Sequence, residues 1–317
     1  MDNKTLAPII LFVYNRPDHT EMVLNKLAVN QEAKDSVLYI YCDGVKYEAN
    51  CETQQKIKDT RSIAKKEKRF KEVVILEQIE NKGLANSIID GVTKICKEYG
   101  AVIVLEDDIL VSQFFLGYMN AALELYKDFD SVGSVNGYWY PIKDVMPETF
   151  FLKNQSCWGW ATWERAWSLF EVNGVHLYQQ LKEKKLSKDF DLDGAIEYTQ
   201  MLADQIAEKN DSWAIRWDAS MFLADKLSLY PGKSLVNNIG FDGSGRHSGN
   251  KNYYDVLITN YPIKVSAIPL EESLSARKLL IKFYKKLKRN IFLSRVRNFI
   301  VNKIISKTRK TAANIID

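Results

Sequence analysis

The 317-residue chain reads as an α/β domain, Rossmann-like, with a mainly parallel central sheet flanked by helices and a basic helical extension at the C-terminus. Three observations carry this reading. Four unbroken apolar runs lie in the first 110 residues, and helical periodicity follows each of the first three, the pattern of βαβ units. Hydrophobic residues make up 46% of the chain, enough for a sizeable core, which excludes disordered, collagen-like and disulfide-stapled chains. The charge is also divided. A formal net charge of +4 conceals thirteen Lys and Arg against one acid, Asp317, in residues 277–317, a net of +12 that leaves −8 on the first 276 residues.

Residues 9–14 form a continuous apolar run, as expected of a strand covered on both faces. The run ends in Asn15-Arg16-Pro17, a turn, and a helical pattern covers residues 18–29. Residues 37–42 repeat the strand pattern and end at Asp43-Gly44; a polar, Lys-rich helix is expected over 53–70, then a strand at 73–77. In residues 83–99, Leu84, Ile88, Val92, Ile95 and Tyr99 share one helical face. Residues 102–105 are the fourth strand and run directly into Glu106-Asp107-Asp108. From about 113 to 230 the pattern is helical, with strand pieces near 132–135 and 150–152. All seven Trp fall within residues 139–217, four glycines crowd into 240–249, and two amphipathic helical stretches without proline follow Pro269.

No run approaches the roughly 18 apolar residues of a membrane span, and the apolar start lacks the flanks of a secretion signal. Cys42, Cys51, Cys96 and Cys157 form no CxxC pair and read as reduced structural residues, so a cytoplasmic location is expected.

Ligands of parallel α/β sheets bind beyond the carboxyl ends of the strands. Three of these ends carry Asn15-Arg16, Asp43-Gly44 and Glu106-Asp107-Asp108. Three adjacent carboxylates repel one another, and burial raises their pKa values unless a cation compensates. Mg²⁺ or Mn²⁺ suits such an oxygen-only site and keeps positions open for phosphates. The plain alternative is a solvated acidic turn.

The series of residues 9–17, Asp43-Gly44, Asn81-Lys-Gly-Leu-Ala-Asn-Ser87 and Glu106-Asp107-Asp108 resembles the nucleotide-binding half of GT-A-fold glycosyltransferases, including bacterial polysaccharide enzymes. Glu-Asp-Asp is similar to the form of the Asp-x-Asp motif in N-acetylglucosaminyltransferase I and its relatives. The resemblance covers roughly residues 7–250. It implies a GT-A domain with a nucleotide-sugar-binding half at 1–110, an acceptor-side half at 111–270, and the tail, 271–317, outside it. It further implies Asp108 as metal ligand, Asp107 as ribose contact, Arg16 at the phosphate or base, and Asp43 at a uracil. The chemistry is compatible, since a carboxylate accepts an imide N–H and a guanidinium grips phosphate. Asp43-Gly44 is equally a good turn, Arg16 an ordinary residue before proline, and Asn81 a cap for the helix after Gly83.

Cys157-Trp-Gly-Trp-Ala-Thr-Trp163 concentrates aromatic faces of the kind that stack on sugars. Trp163 and Trp167, four apart, read as a buried helix face, whereas Trp158, Trp160 and Trp217 are candidate acceptor or sugar contacts. Inverting transfer needs a general base for the acceptor hydroxyl. Asp218, in Arg216-Trp217-Asp218-Ala-Ser-Met221, resembles the Trp-Asp segment that carries it, although Ala219 and Ser220 replace the relatives' second acid and Trp. Helix capping or pairing with Arg216 are other uses for Asp218, and Asp211 and Asp225 are alternative bases. In the glycine-rich stretch, Arg246 is expected near the diphosphate and His247 at the metal, as a downstream His is in many enzymes of this fold; a surface loop is the alternative. His19 and His176 have no evident partners.

In the tail, Leu280, Phe283, Tyr284, Leu287 and Ile291 recur at helical spacing, as do Leu293, Val296, Ile300 and Ile304. An apolar stripe among cations describes a helix at an anionic membrane surface. Packing on the body is a second reading and nucleic-acid binding a third, the last without interleaved base-stacking aromatics. The expectation is therefore a metal-dependent inverting glycosyltransferase at the inner face of the cytoplasmic membrane. It would move a sugar from a nucleotide diphosphate, a UDP-sugar, to a glycan or lipid-linked glycan in surface polysaccharide synthesis. A sugar nucleotidyltransferase, which would need a Gly-rich phosphate loop after the first strand, and a catalytically silent carbohydrate-binding protein are the alternatives.

Overall fold

The computed structural model describes residues 6–242 and 253–313, the last twenty of them as helical backbone. The first 110 residues build β1 (Ile9–Val13), α1 (Pro17–Ala28), β2 (Val37–Cys42), α2 (Cys51–Lys66), β3 (Glu72–Glu77), α3 (Leu84–Tyr99) and β4 (Ala101–Glu106). Then come β5 (Ile109–Val111), α4 (Phe115–Leu125), β6 (Val132–Asn136), β7 (Thr149–Leu152), β8 (Trp160–Trp163) and α5 (Glu164–Trp167). The chain continues through α6 (Gly174–Glu183), α7 (Ser187–Phe190), α8 (Tyr198–Ile206), α9 (Trp213–Leu223), β9 (Leu227–Pro231), β10 (Val236–Asn238) and α10 (Leu274–Ala313).

The eight-stranded sheet runs β3-β2-β1-β4-β8-β6-β9-β7. Only β8 and β7 run against the others. This is the expected α/β architecture, a mainly parallel sheet between helices with a C-terminal helix. The unbroken apolar runs have a direct cause. Ile9, Leu11 and Val13 face one core cluster while Ile10 and Phe12 face another, so β1 has no solvent side to alternate with.

Three expectations need correction. The helix expected to reach residue 70 stops at Lys66, because Glu67 turns extended and its carboxylate accepts the main-chain N–H groups of Lys68 and Arg69, both at 2.8 Å. Trp163 and Trp167 are both buried but share no helix: one ends β8, the other ends α5. The tail is one helix rather than two, about 60 Å long for its 40 residues.

The proximal part of α10 belongs to the body. Ala276, Leu280, Tyr284 and Leu287, one stripe of the helix, are buried in the main core. Arg277 is buried and bonds Asp189 at 2.6 Å, and Lys288 reaches Glu197 at 3.0 Å. The apolar face expected at a lipid surface is, over this stretch, covered by protein. Among the described residues, no helix is long and apolar enough to cross a membrane.

Candidate active site

Strand register sets the site's floor. Val13 lies opposite Cys42, Cys42 opposite Glu77, and Phe12 opposite Glu106, so the carboxyl ends of β1 to β4 are level. Arg16 occupies the N-cap position of α1, before Pro17. Its Nη1 donates to Asp107 Oδ1 at 3.2 Å and to Asp108 Oδ2 at 2.9 Å. One guanidinium nitrogen thus bridges the two carboxylates expected to serve a nucleotide and its metal.

The electrostatics follow from burial. Glu106 is pushed up to about 8 and Asp107 to about 7, by burial first and then by neighbouring carboxylates, with Arg16 pulling the other way. Burial opposes the charge on Arg16, but Asp107 and Asp108 outweigh it and raise its pKa.

A second wall comes from far along the chain. β10 pairs antiparallel with β5, Asn238 opposite Ile109, and carries the following residues over the acidic triplet. The Ile239 N–H donates to the Asp108 carbonyl at 2.9 Å. A Cβ at Gly240 would stand 2.3 Å from Asp108 Oδ2, so this backbone approaches the carboxylate as only glycine permits. Just beyond, Asp242 Oδ2 lies 3.3 Å from His19 Nε2. His19 was missed in the sequence. Three residues after Arg16 it shares that residue's helical face, but its acidic partner is brought in by the β5–β10 pairing. His176 has a partner too, Glu171 at 2.9 Å, on the exposed start of α6.

The uracil role expected of Asp43 does not fit its surroundings. Its Oδ1 accepts the N–H groups of Gly44 and Lys82, both at 2.8 Å, and its Oδ2 accepts Asn81 Nδ2 at 2.8 Å and the Gly83 N–H at 3.0 Å. Four donors fill the acceptor capacity of a carboxylate. Asp43 clasps the β2–α2 connection to the β3–α3 connection, and Asn81 serves that clasp instead of capping α3.

The tryptophans separate by burial. Trp160 and Trp217, 1% and 0% exposed, sit in the second core cluster with Trp167 and Trp213, and Trp160 stacks on Trp213 at 5.4 Å. Enclosed rings offer a sugar no face, so both expected sugar contacts are withdrawn. Trp158 is half-buried, edge-on to Tyr138 at 4.7 Å, Tyr254 at 5.7 Å and Phe241 at 5.9 Å. Gly159, with φ +61, meets Val236 and Phe115, so the glycine between two Trp serves core packing.

Asp218 lies mid-way along α9, 4% exposed. It neither caps its helix nor pairs with Arg216. Ser212 caps α9, and Arg216 bonds the carbonyls of Ser212 and Val172. Asp218 Oδ1 accepts the Gln155 N–H at 2.8 Å. Burial pushes its carboxyl up to about 7, against the hydrogen bonds from Gln155 and Asn154. Burial, then the charges of Asp218 and Glu106, hold the Cys157 thiol well above the usual range. Asp225 is an exposed partner of Lys153. Asp211 lines a separate cavity of about 440 Å³ between the start of α3 and the α8–α9 connection, which holds Lys82 and Arg216 but neither Asp108 nor Asp218. Arg246 and His247 lie outside the described residues.

No protein-family model and no curated protein matches the chain. Among solved structures, the chain is similar to the mannosyltransferase PcManGT from Pyrobaculum calidifontis in complex with GDP-Man and Mn²⁺. The identity is 13% and the TM-score 0.35, over 57% of this chain and 47% of that one. It is similar also to TarS of S. aureus, at 13% identity and TM-score 0.35, over 52% of this chain and 30% of that one. A UDP-glucose pyrophosphorylase complexed with UDP-glucose matches at 13% and 0.34, over 71% and 90%. The chain spans about half the length of the mannosyltransferase.

Proposed function

We propose that the chain is a metal-dependent, inverting glycosyltransferase that moves a sugar from a nucleotide diphosphate, a UDP-sugar, to a hydroxyl of a glycan acceptor carried on a lipid. The observation that carries this reading is the convergence of Arg16, Asp107 and Asp108 at the carboxyl edge of the parallel strands. The oxygen donors suit a divalent cation, and the Gly240 backbone closes over Asp108 Oδ2, the oxygen that also accepts from Arg16. Asp108 would hold Mn²⁺ or Mg²⁺ and Asp107 would meet the ribose; when bound, the ion neutralises charge developing on the leaving diphosphate.

The chain's own residues supply the rest. Arg16 binds the diphosphate as a fork donor. Asp218, held by Gln155, takes the proton of the attacking hydroxyl on the face opposite the leaving group, which inverts the sugar. Trp158 stacks on the sugar. Arg246 is assigned to the diphosphate and His247 to the metal. The distal part of α10 holds the enzyme at an anionic inner membrane surface, where a lipid-linked acceptor for surface polysaccharide would lie.

The connection after β1 favours sugar transfer over nucleotidyl transfer: Tyr14-Asn15-Arg16 contains no glycine for a phosphate loop. The test is a screen of nucleotide-sugars with Mn²⁺. Release of nucleoside diphosphate is expected. Pyrophosphate release from a nucleoside triphosphate and a sugar phosphate would assign nucleotidyl transfer instead, and binding without turnover a silent carbohydrate-binding protein.

A further inference from the structure

We infer that the carboxylate pair takes a divalent cation only together with a diphosphate, because Arg16 holds the cation's place until a second anion draws it away. The inference rests on the reading of Asp108 as the metal ligand, with Asp107 beside it on the same guanidinium, and it adds the ligand actually recognised: a cation–diphosphate complex.

Arg16 Nη1 stands 3.2 Å from one carboxylate and 2.9 Å from the other, with the three side chains only 12–19% exposed. Partly buried pairs are screened little by salt, so this contact persists at ordinary ionic strength. A guanidinium does not deprotonate, so Arg16 keeps its charge at the carboxylates until another anion accepts it. A bare divalent ion arriving at Asp108 would face the fixed charge of Arg16 at close range. A diphosphate removes the conflict, since it accepts the guanidinium while its oxygens bind the ion. The movement is confined to the side chain. The Arg16 carbonyl accepts the Thr20 N–H at 2.9 Å and Thr20 Oγ1 at 2.8 Å, and Pro17 fixes the first residue of the helix. The next carboxylate along this wall, Asp242, already faces His19 and adds to the negative field on Arg16.

The test measures Mn²⁺ binding to the full chain by electron paramagnetic resonance, which counts free Mn²⁺ and needs no turnover. Wild type, Arg16→Met and Arg16→Gln are titrated alone and with UDP or GDP, and circular dichroism and melting confirm the fold of each. In wild type, nucleotide should tighten Mn²⁺ binding by about tenfold or more, and Mn²⁺ should tighten nucleotide by the same factor. Without nucleotide, both variants should bind Mn²⁺ about tenfold more tightly than wild type, with the coupling much reduced. Equal nucleotide-free affinity in all three proteins overturns the role of Arg16 and leaves the metal reading standing. No Mn²⁺ binding in any protein, with or without nucleotide, overturns the metal reading and this inference with it.

Discussion

In the proposed mechanism, burial suits Asp218 to act as a base near neutral pH. A carboxyl pushed up to about 7 is ionised at the top of the physiological range and holds a proton firmly once it has one. Activity limited by Asp218 should therefore rise with pH through about 7 and level off above it. Asp218→Asn should lower transfer by roughly 10²–10⁴-fold while calorimetry shows donor binding retained; near-normal turnover removes the residue from the mechanism. The stability effect has the opposite slope. The folded pKa lies above the unfolded value, so the Asp218 contribution is full at acid pH and is lost as pH rises through about 7. Melting of Asp218→Asn should accordingly change less between pH 5.5 and 8 than wild type does. Asp43 separates two roles as clearly. As a clasp receiving four hydrogen bonds, its replacement by Ala should cost about 2 kcal/mol of stability in chemical denaturation, with similar loss for every nucleotide tested. A uracil reader would instead lose uridine selectivity at unchanged stability. The residue type at 43 was legible; three of its four partners, 38 to 40 positions away, were not, because local sequence says nothing about which loop arrives.

At the scale of elements, legibility follows the length of the signal. The first four strands could be read because each is a run of apolar residues, β1, β2 and β4 buried on both faces and β3 half-buried at the sheet edge, and α3 because its apolar face persists for several turns. β8 was missed: Trp-Ala-Thr-Trp is short, buried along its length, and followed at once by helical residues, so a strand and a helix face look alike there. β5 and β10, three residues each, are too short for any period to show. Yet their pairing brings Gly240 and Asp242 to the acidic triplet, and thus closes the site. Gly240→Ala tests this directly. A methyl group 2.3 Å from Asp108 Oδ2 forces either the carboxylate or the strand aside. The expected result is Mn²⁺ and donor affinity weakened by about tenfold, a loss of about 1.4 kcal/mol in binding, with the melting temperature within a few degrees of wild type. Unchanged Mn²⁺ affinity would show that Asp108 has no part in holding the ion.

The whole molecule is organised by its division of charge. A body of net −8 is repelled by an anionic surface, so any attraction must come through the +12 segment. Composition alone treated that segment as one unit, and the structure divides it. Its proximal turns are sealed onto the body by Leu280, Tyr284 and Leu287 and tied by Arg277 and Lys288. The helix continues for about 30 Å beyond Leu293. Phe292 and Leu293 are 65% and 55% exposed. The two parts should respond to mutation differently. Leu280→Ala should cost about 3 kcal/mol of stability, as a buried leucine does, and leave membrane binding intact. Replacing Arg295, Arg297, Lys303, Lys307, Arg309 and Lys310 with Gln should leave the melting temperature unchanged and abolish flotation with phosphatidylglycerol vesicles. Each charge contributes roughly 1 kcal/mol near such a surface, so losing six exceeds what the remaining apolar residues can offset. Full flotation of the neutralised protein would show that these six charges do not carry a membrane contact.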